Sequence, residues 1–593
     1  MGAPPSDVTP SQEPLITQLK GFPGVYWIAN WMELVERFAY YGVRTVLPVF
    51  MVLSIGEGGP EFDHIQKGTI YAIWALVQSI VPVFTGGFAD RYGYKINIAV
   101  ATVLKIVGYL LMGYCIFLAE TMAGMPLAEA RAQGIDQTYM IFFTGAMFLA
   151  LGTAVFKPGL QGLIAHQMPK DRAAVGWAMF YQMVNIGGFI GPLLAGYLRV
   201  LDWEYVFLAC SIGIALNFIP LFLFAEPEHH GEDNKDGPLT LIRKALHGLL
   251  EPRLFFFTIT FAGFWLMFYQ LFDILPNFID DWVDSRAAAE FLQSIFGDSA
   301  VPTVNGGNLT QEWMLNVNAL MISFFAFAVG YLTGKVRSLT AIIIGIAISA
   351  VAIRGLGLSM NGWWIIVMIM VFSVGEMSAS PTKMRYLASI APPGKEGLYM
   401  GYVNFTVGIG WSIGSVVAGQ LYQEGGDKVV LARRYLVENE GLQAAVVDKI
   451  PKAELLPYFQ DKLGVDAWQA RELLWNTYEP YSMWTIFMLI GLGSMIGIIA
   501  YNYVTNRADK DPDYSFNTHG HIWVRVALVP IVLAFAYGAY YQKFALEYPW
   551  RQVIAPIALA AIFLALLIFT FIPNPDEALP KATARAVDDN KAD

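Results

Sequence analysis

The sequence predicts an all-α membrane protein, with two six-helix bundles followed by two further C-terminal transmembrane helices. Of the 593 residues, 56% are hydrophobic and 15% are charged, whereas soluble domains carry about 25% charged residues. Apolar segments of about 20 residues, the length that spans a bilayer, follow one another along the chain. This composition excludes a soluble enzyme and a disordered tail protein. Together with the net charge of −10, it also argues against a nucleic-acid partner.

Charged residues in the short connections predict the orientation. Basic residues follow the even-numbered segments, as at Arg91, Lys95 and Lys335, while acidic residues such as Asp280 and Asp281 mark the other side. The positive-inside rule then places both termini in the cytoplasm, and we expect a multi-pass protein of a bacterial inner membrane. The fourteen segments are expected near 25–53, 66–89, 96–119, 138–165, 174–199, 204–225, 254–279, 312–334, 339–357, 362–390, 397–422, 479–503, 521–543 and 550–572.

The longer connections divide the chain into regions. The linker between the sixth and seventh segments ends in a short amphipathic stretch, which is typical of a helix lying on a membrane surface. A second long connection, between the eleventh and twelfth segments, has helical periodicity and predicts a small packed cap on the outer side. The predicted regions are a cytoplasmic tail at 1–24, a six-helix bundle at 25–225, the linker at 226–252, a second bundle at 253–505 with its cap at 424–477, two extra helices at 506–573 and a disordered tail at 574–593.

A short motif recurs six segments apart. GGFADRYGYK, at residues 86–95, follows the second segment, and GYLTGKVRS, at residues 330–338, follows the eighth. Each contains a glycine, a short turn and a basic group on the predicted cytoplasmic side. Repeated six-helix halves are typical of secondary transporters, which bind their substrate near the midplane between the repeats.

The first segment carries an unusual row of charges. Glu33, Arg37, Tyr41 and Arg44 lie on one helical face, with Glu36 beside them. Ionisable residues at membrane depth are expensive and indicate function. Two acids and two bases on one stripe form a proton store, because protonation of a carboxylate frees its arginine partner. The alternative is a static ion-pair network that only packs the helix.

Among the charged residues inside later segments, three are candidates for function. Lys157 has no acidic neighbour on its own helix, so its partner is expected on another helix, with Glu33 or Glu36 as candidates. Glu376 lies between a glycine and a proline and predicts a kinked helix facing a wet cavity. Asp273 lies near a proline in the seventh segment.

These positions predict a cavity with two unlike walls. Arg44 and Lys157 belong to the first half of the chain, whereas Glu376 and Asp273 belong to the second. Such a cavity suits a zwitterion, with its carboxylate on one side and its ammonium group on the other. Asn185 and Asn318 are polar groups in apolar helices, where helix–helix contact and ligand contact are both open.

Several motifs resemble those of a known family. Glu33-x-x-Glu36-Arg37-Phe38-x-Tyr40-Tyr41-Gly42 resembles the first-helix signature of the proton-dependent oligopeptide transporters, a branch of the major facilitator superfamily. FYQMVNIGG (180–188) and GEMSASP (375–381) resemble that family's fifth-helix and tenth-helix motifs, and GGFADRYGYK resembles the loop motif of the whole superfamily. The resemblance covers about twelve segments and implies the major facilitator fold of two six-helix bundles.

The resemblance also implies roles for individual residues. It assigns proton coupling to Glu33 and Glu36, with Arg37 and Lys157 as their switching partners, and Glu376 both to coupling and to the peptide amino terminus. The substrate-binding residues that it implies are Arg44, Tyr40, Tyr41, Lys157, Asn185, Asn318, Glu376, Gln270 and Asp273. The conformational loop motif comprises Gly87, Asp90, Arg91, Gly93 and Lys95.

The sequence departs from the family at several places. Ser79 stands at the position of a second-helix pocket tyrosine, and Val403 stands at that of an eleventh-helix tryptophan. A seventh-helix glutamate before glutamine is replaced by Tyr269-Gln270, with Asp273 one turn later as a substitute. The two extra helices of bacterial members lie between the halves, whereas here they follow the twelfth segment.

The leading hypothesis is a proton-coupled symporter that imports di- and tripeptides as a monomer in the lipid bilayer. It uses protons as the coupling ion and no cofactor or metal. A carrier of nitrate, an amino acid or another small metabolite is the alternative. A membrane-embedded enzyme is disfavoured, because none of the seven histidines begins an HExxH motif.

Overall fold

The computed structural model describes residues 13–226, 238–392 and 396–573. Within these ranges the side chains of 83–92, 174, 238, 239, 241 and 396–398 are left out of the description. The described chain is predominantly helical, so the predicted all-α membrane class is confirmed. Within the described residues, one small sheet interrupts it, in which β1 (Thr303–Val304) pairs antiparallel with β2 (Asn308–Leu309). This hairpin lies in the predicted loop between the seventh and eighth segments.

The first half of the chain forms ten helices among the described residues. The third predicted segment is broken at Tyr114, where α4 ends and α5 begins. The helices are α1 (Leu15–Lys20), α2 (Gly24–Phe50), α3 (His64–Tyr92), α4 (Tyr94–Gly113), α5 (Cys115–Ala123), α6 (Leu127–Ala132), α7 (Thr138–Gln167), α8 (Ala173–Leu201), α9 (Trp203–Ala215) and α10 (Phe218–Leu221).

The rest of the described chain forms sixteen helices, four of which belong to the cap. The seventh predicted segment is divided into three pieces, and Pro276 lies at the start of the third. The helices are α11 (Pro238–Leu249), α12 (Pro252–Phe268), α13 (Gln270–Asp273), α14 (Leu275–Trp282), α15 (Arg286–Phe296), α16 (Gln311–Gly334), α17 (Ser338–Leu356), α18 (Gly362–Ile390), α19 (Glu396–Gly425), α20 (Lys428–Glu438), α21 (Ala444–Val447), α22 (Lys452–Leu463), α23 (Ala467–Tyr478), α24 (Met483–Ala508), α25 (Ser515–Phe544) and α26 (Trp550–Phe569).

Among the described residues, 11 helices or helix groups are long and apolar enough to cross a membrane. Helices α2, α3 and α19 complete the predicted set of fourteen. The low hydropathy of α2 has a direct cause, because it carries Glu33, Glu36, Arg37 and Arg44. The row of charges predicted to have a function therefore lies on a helix that a hydropathy criterion alone would miss.

The described residues divide into two compact units. Residues 13–226, 261–392 and 396–499 form the first, and residues 238–260 and 500–573 form the second. In the second unit, α25 pairs with α26 through the stacked rings of Phe535 and Phe563, whose centroids are 5.7 Å apart. Helix α11, the amphipathic stretch of the predicted linker, contacts α26. Linker residues 227–237 and the predicted disordered tail at 574–593 lie outside the described residues.

The connection between α19 and α24 folds into a helical cap, α20–α23. The side chain of Asp466 accepts hydrogen bonds from the backbone N–H groups of Trp468 and Gln469, and the side-chain oxygen of Gln469 accepts one from the backbone N–H of Asp466. This reciprocal cap stabilises the start of α23. Leu431 and Phe459 are fully buried between the cap helices, so the connection has an apolar core of its own.

Small residues hold α2 against α8. A Cβ atom added at Gly187 would lie 2.3 Å from the backbone oxygen of Leu34, and one added at Gly191 would lie 2.3 Å from that of Phe38. The backbones of the two helices therefore touch, as small residues permit in membrane helices. This contact fixes α2, and with it the charged stripe, against the rest of the first half.

The substitution Gly187→Ala is expected to destabilise the protein by about 1–3 kcal/mol, because backbone must move to admit the methyl group. Thermal unfolding of the detergent-solubilised protein measures the effect. Gly493→Ala is the matched control, since a Cβ atom there meets nothing within 4 Å. Equal melting temperatures for the two variants would contradict this view of the α2–α8 contact.

Candidate functional site

A cavity of about 260 Å³ lies between the two halves of the first unit. Its walls come from α2, α3, α7 and α8 on one side and from α12, α16 and α18 on the other. It brings together eight of the residues that the sequence assigned to coupling or to substrate binding. They are Arg37, Tyr40, Tyr41, Arg44, Lys157, Asn185, Asn318 and Glu376.

A buried ion cluster lies beside this cavity. The Nε atom of Arg37 is 2.9 Å from Oε1 of Glu33 and 2.7 Å from Oε2 of Glu36. The other oxygen of Glu36 pairs with the Nζ atom of Lys105, from α4. All four side chains are buried, with 5% exposure or less, so each charge depends on the others for its stability.

Lys105 was not predicted, and it takes the place that the sequence assigned to Lys157. Glu36 pairs with Lys105, whereas Lys157 forms no ion pair with any described residue. The signal was available, because Lys105 is a single lysine in an apolar stretch (ATVLKIVGY), as Lys157 is. Which lysine reaches Glu36 depends on how α4 and α7 pack, and spacing along the chain does not give that.

Two unpaired charges face the cavity from opposite halves. Lys157 comes from α7 and has no described ion-pair partner. Glu376 comes from α18 and accepts a hydrogen bond of 2.8 Å from Nδ2 of Asn318, but it has no cation beside it among the described residues. A positive and a negative group are thus available to a ligand.

Asp273 lies outside the cavity lining, contrary to the predicted negative wall. Its Oδ1 atom pairs with Arg44, while its Oδ2 atom accepts hydrogen bonds from Trp411 (3.1 Å) and Ser415 (2.7 Å). The carboxylate is therefore fully engaged with the protein. Gln270 is also outside the lining, because it is buried and donates to the backbone of Leu266, at 2.6 Å.

Aromatic and amide side chains complete the lining. The hydroxyl of Tyr40 donates to Oε1 of Gln78 at 3.2 Å, and Gln78 also accepts from Trp74 at 2.8 Å. The ring of Tyr269 stacks on Trp411, with centroids 4.4 Å apart. Asn185 donates to the backbone of Tyr181 within its own helix. The lining residues that the sequence analysis missed include Gln78, Tyr181, Trp265, Phe268 and Tyr269.

The end of the first unit that carries the cap, here called the cap end, is closed between the halves. Lys67 donates to Oδ1 of Asn277 at 2.5 Å and to the backbone oxygen of Asp273 at 3.1 Å. Arg199 and Glu312 form a second buried pair between the halves, at 3.2 Å. With the Arg44 pair, these bonds close the space between the cavity and the cap.

The cap adds contacts with both halves. Lys452 of α22 donates to the backbone oxygen of Val52 at 2.6 Å, while Asp427 lies 3.0 Å from the Nε2 atom of His64. Burial alone would raise the pKa of Asp427, but Lys452 and His64 outweigh that effect and hold it well below its usual range. On the other side, Arg471 donates to the backbone oxygen of Val283 at 3.3 Å.

The loop motif is described only in part. Gly93 has a φ of +96°, a conformation that favours glycine. The backbone N–H groups of Tyr94 and Lys95 donate to the carboxylate of Glu226 at 2.7 and 3.0 Å. The side chains of Asp90 and Arg91, together with Gly87, lie outside the described side chains, so their predicted role stays a prediction.

Comparison with known proteins gives the family and the fold. The profile of the family described as Major Facilitator Superfamily matches residues 31–282 and 287–433. "Uncharacterized transporter YclF" of Bacillus subtilis is 23% identical over 459 residues, which cover 67% of this chain and 88% of that protein. "Peptide transporter YePEPT" of Yersinia enterocolitica is 28% identical over 199 residues, which cover 33% of this chain and 35% of the relative.

A solved structure shares the fold. It is described as a POT family transporter in complex with 5-aminolevulinic acid, and it aligns with a TM-score of 0.54 at 16% sequence identity. The alignment covers 83% of this chain and 99% of that chain. The predicted arrangement of two six-helix bundles is therefore supported by a known structure.

The substitution Asp273→Ala is expected to destabilise the protein by about 3–5 kcal/mol, because it leaves the buried Arg44 without its partner. Thermal unfolding in detergent measures this loss. Asp280→Ala is the control, since the Asp280 carboxylate accepts an exposed hydrogen bond from Asn305. An Asp273→Ala variant that melts with the wild type would contradict the assigned pairing.

Proposed function

Because the chain belongs to the Major Facilitator Superfamily, we propose that it is a proton-coupled symporter that imports di- and tripeptides. The observation that carries the proposal is the pair of unsatisfied charges in one cavity, Lys157 from the first half and Glu376 from the second. A zwitterion with an ammonium group and a carboxylate can pair with both charges, the carboxylate with Lys157 and the ammonium group with Glu376. Neither charge has a described ionic partner within the protein.

The carboxylate of the peptide binds at the positive wall. Lys157 lies there with Arg37, whose Nη2 atom is buried and has no hydrogen-bond partner among the described residues. The ammonium group binds Glu376, which Asn318 holds in place. Charge-assisted hydrogen bonds of this kind are stronger than neutral ones, so the two ends orient the ligand across the cavity.

Proton binding is coupled to substrate binding through the ion cluster. Protonation of a carboxylate beside Arg37 makes the cluster more positive and strengthens its attraction for the substrate carboxylate. The linkage is reciprocal, so bound substrate also favours bound proton. The two then cross the membrane together.

Alternating access follows from the closed cap end. In the orientation that the basic connections predict, the cap end faces outward and the described state is closed to the outside. Outward opening requires the bonds between the halves at that end to separate, including Arg44–Asp273 and Arg199–Glu312. Rocking of one six-helix half against the other is the movement that such repeats permit.

A small non-peptide zwitterion is the second candidate. The solved POT family structure that shares this fold holds 5-aminolevulinic acid, which also carries an amine and a carboxylate. The same pair, Lys157 and Glu376, serves either ligand. The candidates are separated by measuring the uptake of a labelled dipeptide into proteoliposomes in the presence of unlabelled dipeptides, free amino acids, 5-aminolevulinic acid or nitrate. The true substrate class is expected to inhibit this uptake at the lowest concentration.

Glu376→Gln tests recognition of the amino terminus. Wild-type protein is expected to prefer a free dipeptide over its N-acetylated form by about 10–100-fold, the value of one charge-assisted hydrogen bond. The variant is expected to lose that preference while it still transports the acetylated peptide. Uptake of both labelled peptides by proteoliposomes gives the ratio, with Glu290→Gln on exposed α15 as control. An unchanged ratio in Glu376→Gln would rule out this role.

A disulfide between Gly56→Cys and Ala453→Cys tests movement of the cap. A Cβ atom at Gly56 would lie 3.5 Å from that of Ala453, within the range that disulfides need. Oxidation is expected to reduce uptake to the level of protein-free liposomes, and reductant is expected to restore it. The single variants are controls, and the native Cys115 and Cys210 are buried. Full uptake by the crosslinked protein would show that the cap stays in place during transport.

A further inference from the structure

We propose that Lys105 is a positioning residue that keeps Glu36 permanently charged, so that Glu33 alone in this cluster takes up the coupling proton. The inference rests on the proposed proton symport and narrows it, since the sequence assigned coupling to both carboxylates. It starts from an ion pair, Lys105–Glu36, that no sequence motif indicated.

Lys105 is built into the core of the first half. Its side chain is fully buried, and its Nζ atom lies 5.0 Å from the ring centre of Phe156. A Cβ atom at Gly152 would lie 2.7 Å from Cγ of Lys105, so the glycine makes room for the lysine stem. The lysine cannot withdraw to solvent, and its charge depends on Glu36.

The two carboxylates have unequal surroundings. Glu36 has a cation on each oxygen, Lys105 on Oε1 and the Nε atom of Arg37 at 2.7 Å from Oε2. Glu33 shares the same Arg37 Nε, at 2.9 Å, and its buried Oε2 atom has neither a hydrogen bond nor an ion pair among the described residues. The Oε2 atom of Glu36 also lacks a hydrogen bond, but it lies against the Arg37 cation. The free oxygen of Glu33 is the place where a proton adds without displacing a cation.

The cost of protonation follows from this difference. A proton on Glu36 would leave Lys105 as a buried charge with no direct partner, which is strongly unfavourable. A proton on Glu33 leaves Arg37 paired with Glu36, and Lys105 undisturbed. The charged groups that face the two carboxylates are Arg37 from α2, Lys105 from α4 and Lys157 from α7, with the hydroxyls of Tyr41 and Tyr109 nearby.

The charge of the cluster changes accordingly. Two carboxylates with Arg37, Lys105 and Lys157 leave one formal positive charge, and a proton on Glu33 raises this to two. The higher positive charge strengthens the attraction of an anion to the site beside Lys157, while the Glu36–Lys105 pair stays fixed. The proton and the substrate carboxylate therefore enter a site whose scaffold does not rearrange.

The test uses paired removal of the two partners. Glu36→Gln/Lys105→Met deletes both charges together, and removal of a whole buried pair is often tolerated. In proteoliposomes this double variant is expected to keep acid-driven dipeptide accumulation, although at a lower external pH than wild type, because protonation of Glu33 then leaves Arg37 without its remaining partner. Glu33→Gln is expected to lose accumulation while it keeps counterflow exchange, which needs no proton gradient. Accumulation that survives in Glu33→Gln, or that fails in a double variant with intact counterflow, overturns the proposal.

A readout without transport separates this inference from the proposed function. Infrared difference spectra of the purified protein, between pH about 8 and about 5, report protonated carboxyl groups directly. The signal of the protonated Glu33 carboxyl group is expected to be absent from the spectrum of Glu33→Gln and present in that of Glu36→Gln/Lys105→Met. The reverse pattern overturns the assignment whether or not the wild type transports peptides.

Discussion

The cost of holding charges at membrane depth governs this molecule. Helix α2 carries Glu33, Glu36, Arg37 and Arg44, and all four side chains are buried. An unpaired charge in that position would destabilise the fold by several kcal/mol, so each residue needs a partner. The partners come from three other helices: Lys105 on α4, Asp273 on α13 and the ring of Tyr71 on α3, 4.2 Å from Arg44.

This requirement links the chemistry to the architecture. Helix α2 touches α8 through glycines, which fixes its rotation and aims the charged stripe at α4 and at the cavity. Farther along the same helix, Arg44 crosses to the second half of the chain. One helix thus holds both the protonation cluster and a bond that closes the cap end. Glu33 and Arg44 are separated by only about three helical turns of α2. Protonation of Glu33 and opening of the contact between the halves therefore act on the same helix.

The sequence predicted what repeats along one helix and missed what depends on contact between helices. Hydropathy and basic connections predicted the fold class, and the spacing of Glu33 and Arg37 predicted their pair at 2.9 Å. Lys157 and Glu376 were placed in one cavity by the two-half argument. The partner of Glu36 was missed, because α4 and α7 both offer a lysine and only packing selects one. Asp273 was expected at the cavity, but its carboxylate pairs with Arg44 and accepts hydrogen bonds from Trp411 and Ser415 instead.

The central claim is that a proton gradient drives a small zwitterion through the cavity that Lys157 and Glu376 share. Acid-pulse uptake of a labelled dipeptide into proteoliposomes of the purified protein tests it most directly, with a protonophore and the Lys157→Ala variant alongside. The account predicts accumulation above the external concentration that both the protonophore and the variant abolish. Uptake that stops at equilibrium whatever the gradient, or that is unchanged in Lys157→Ala, would contradict it.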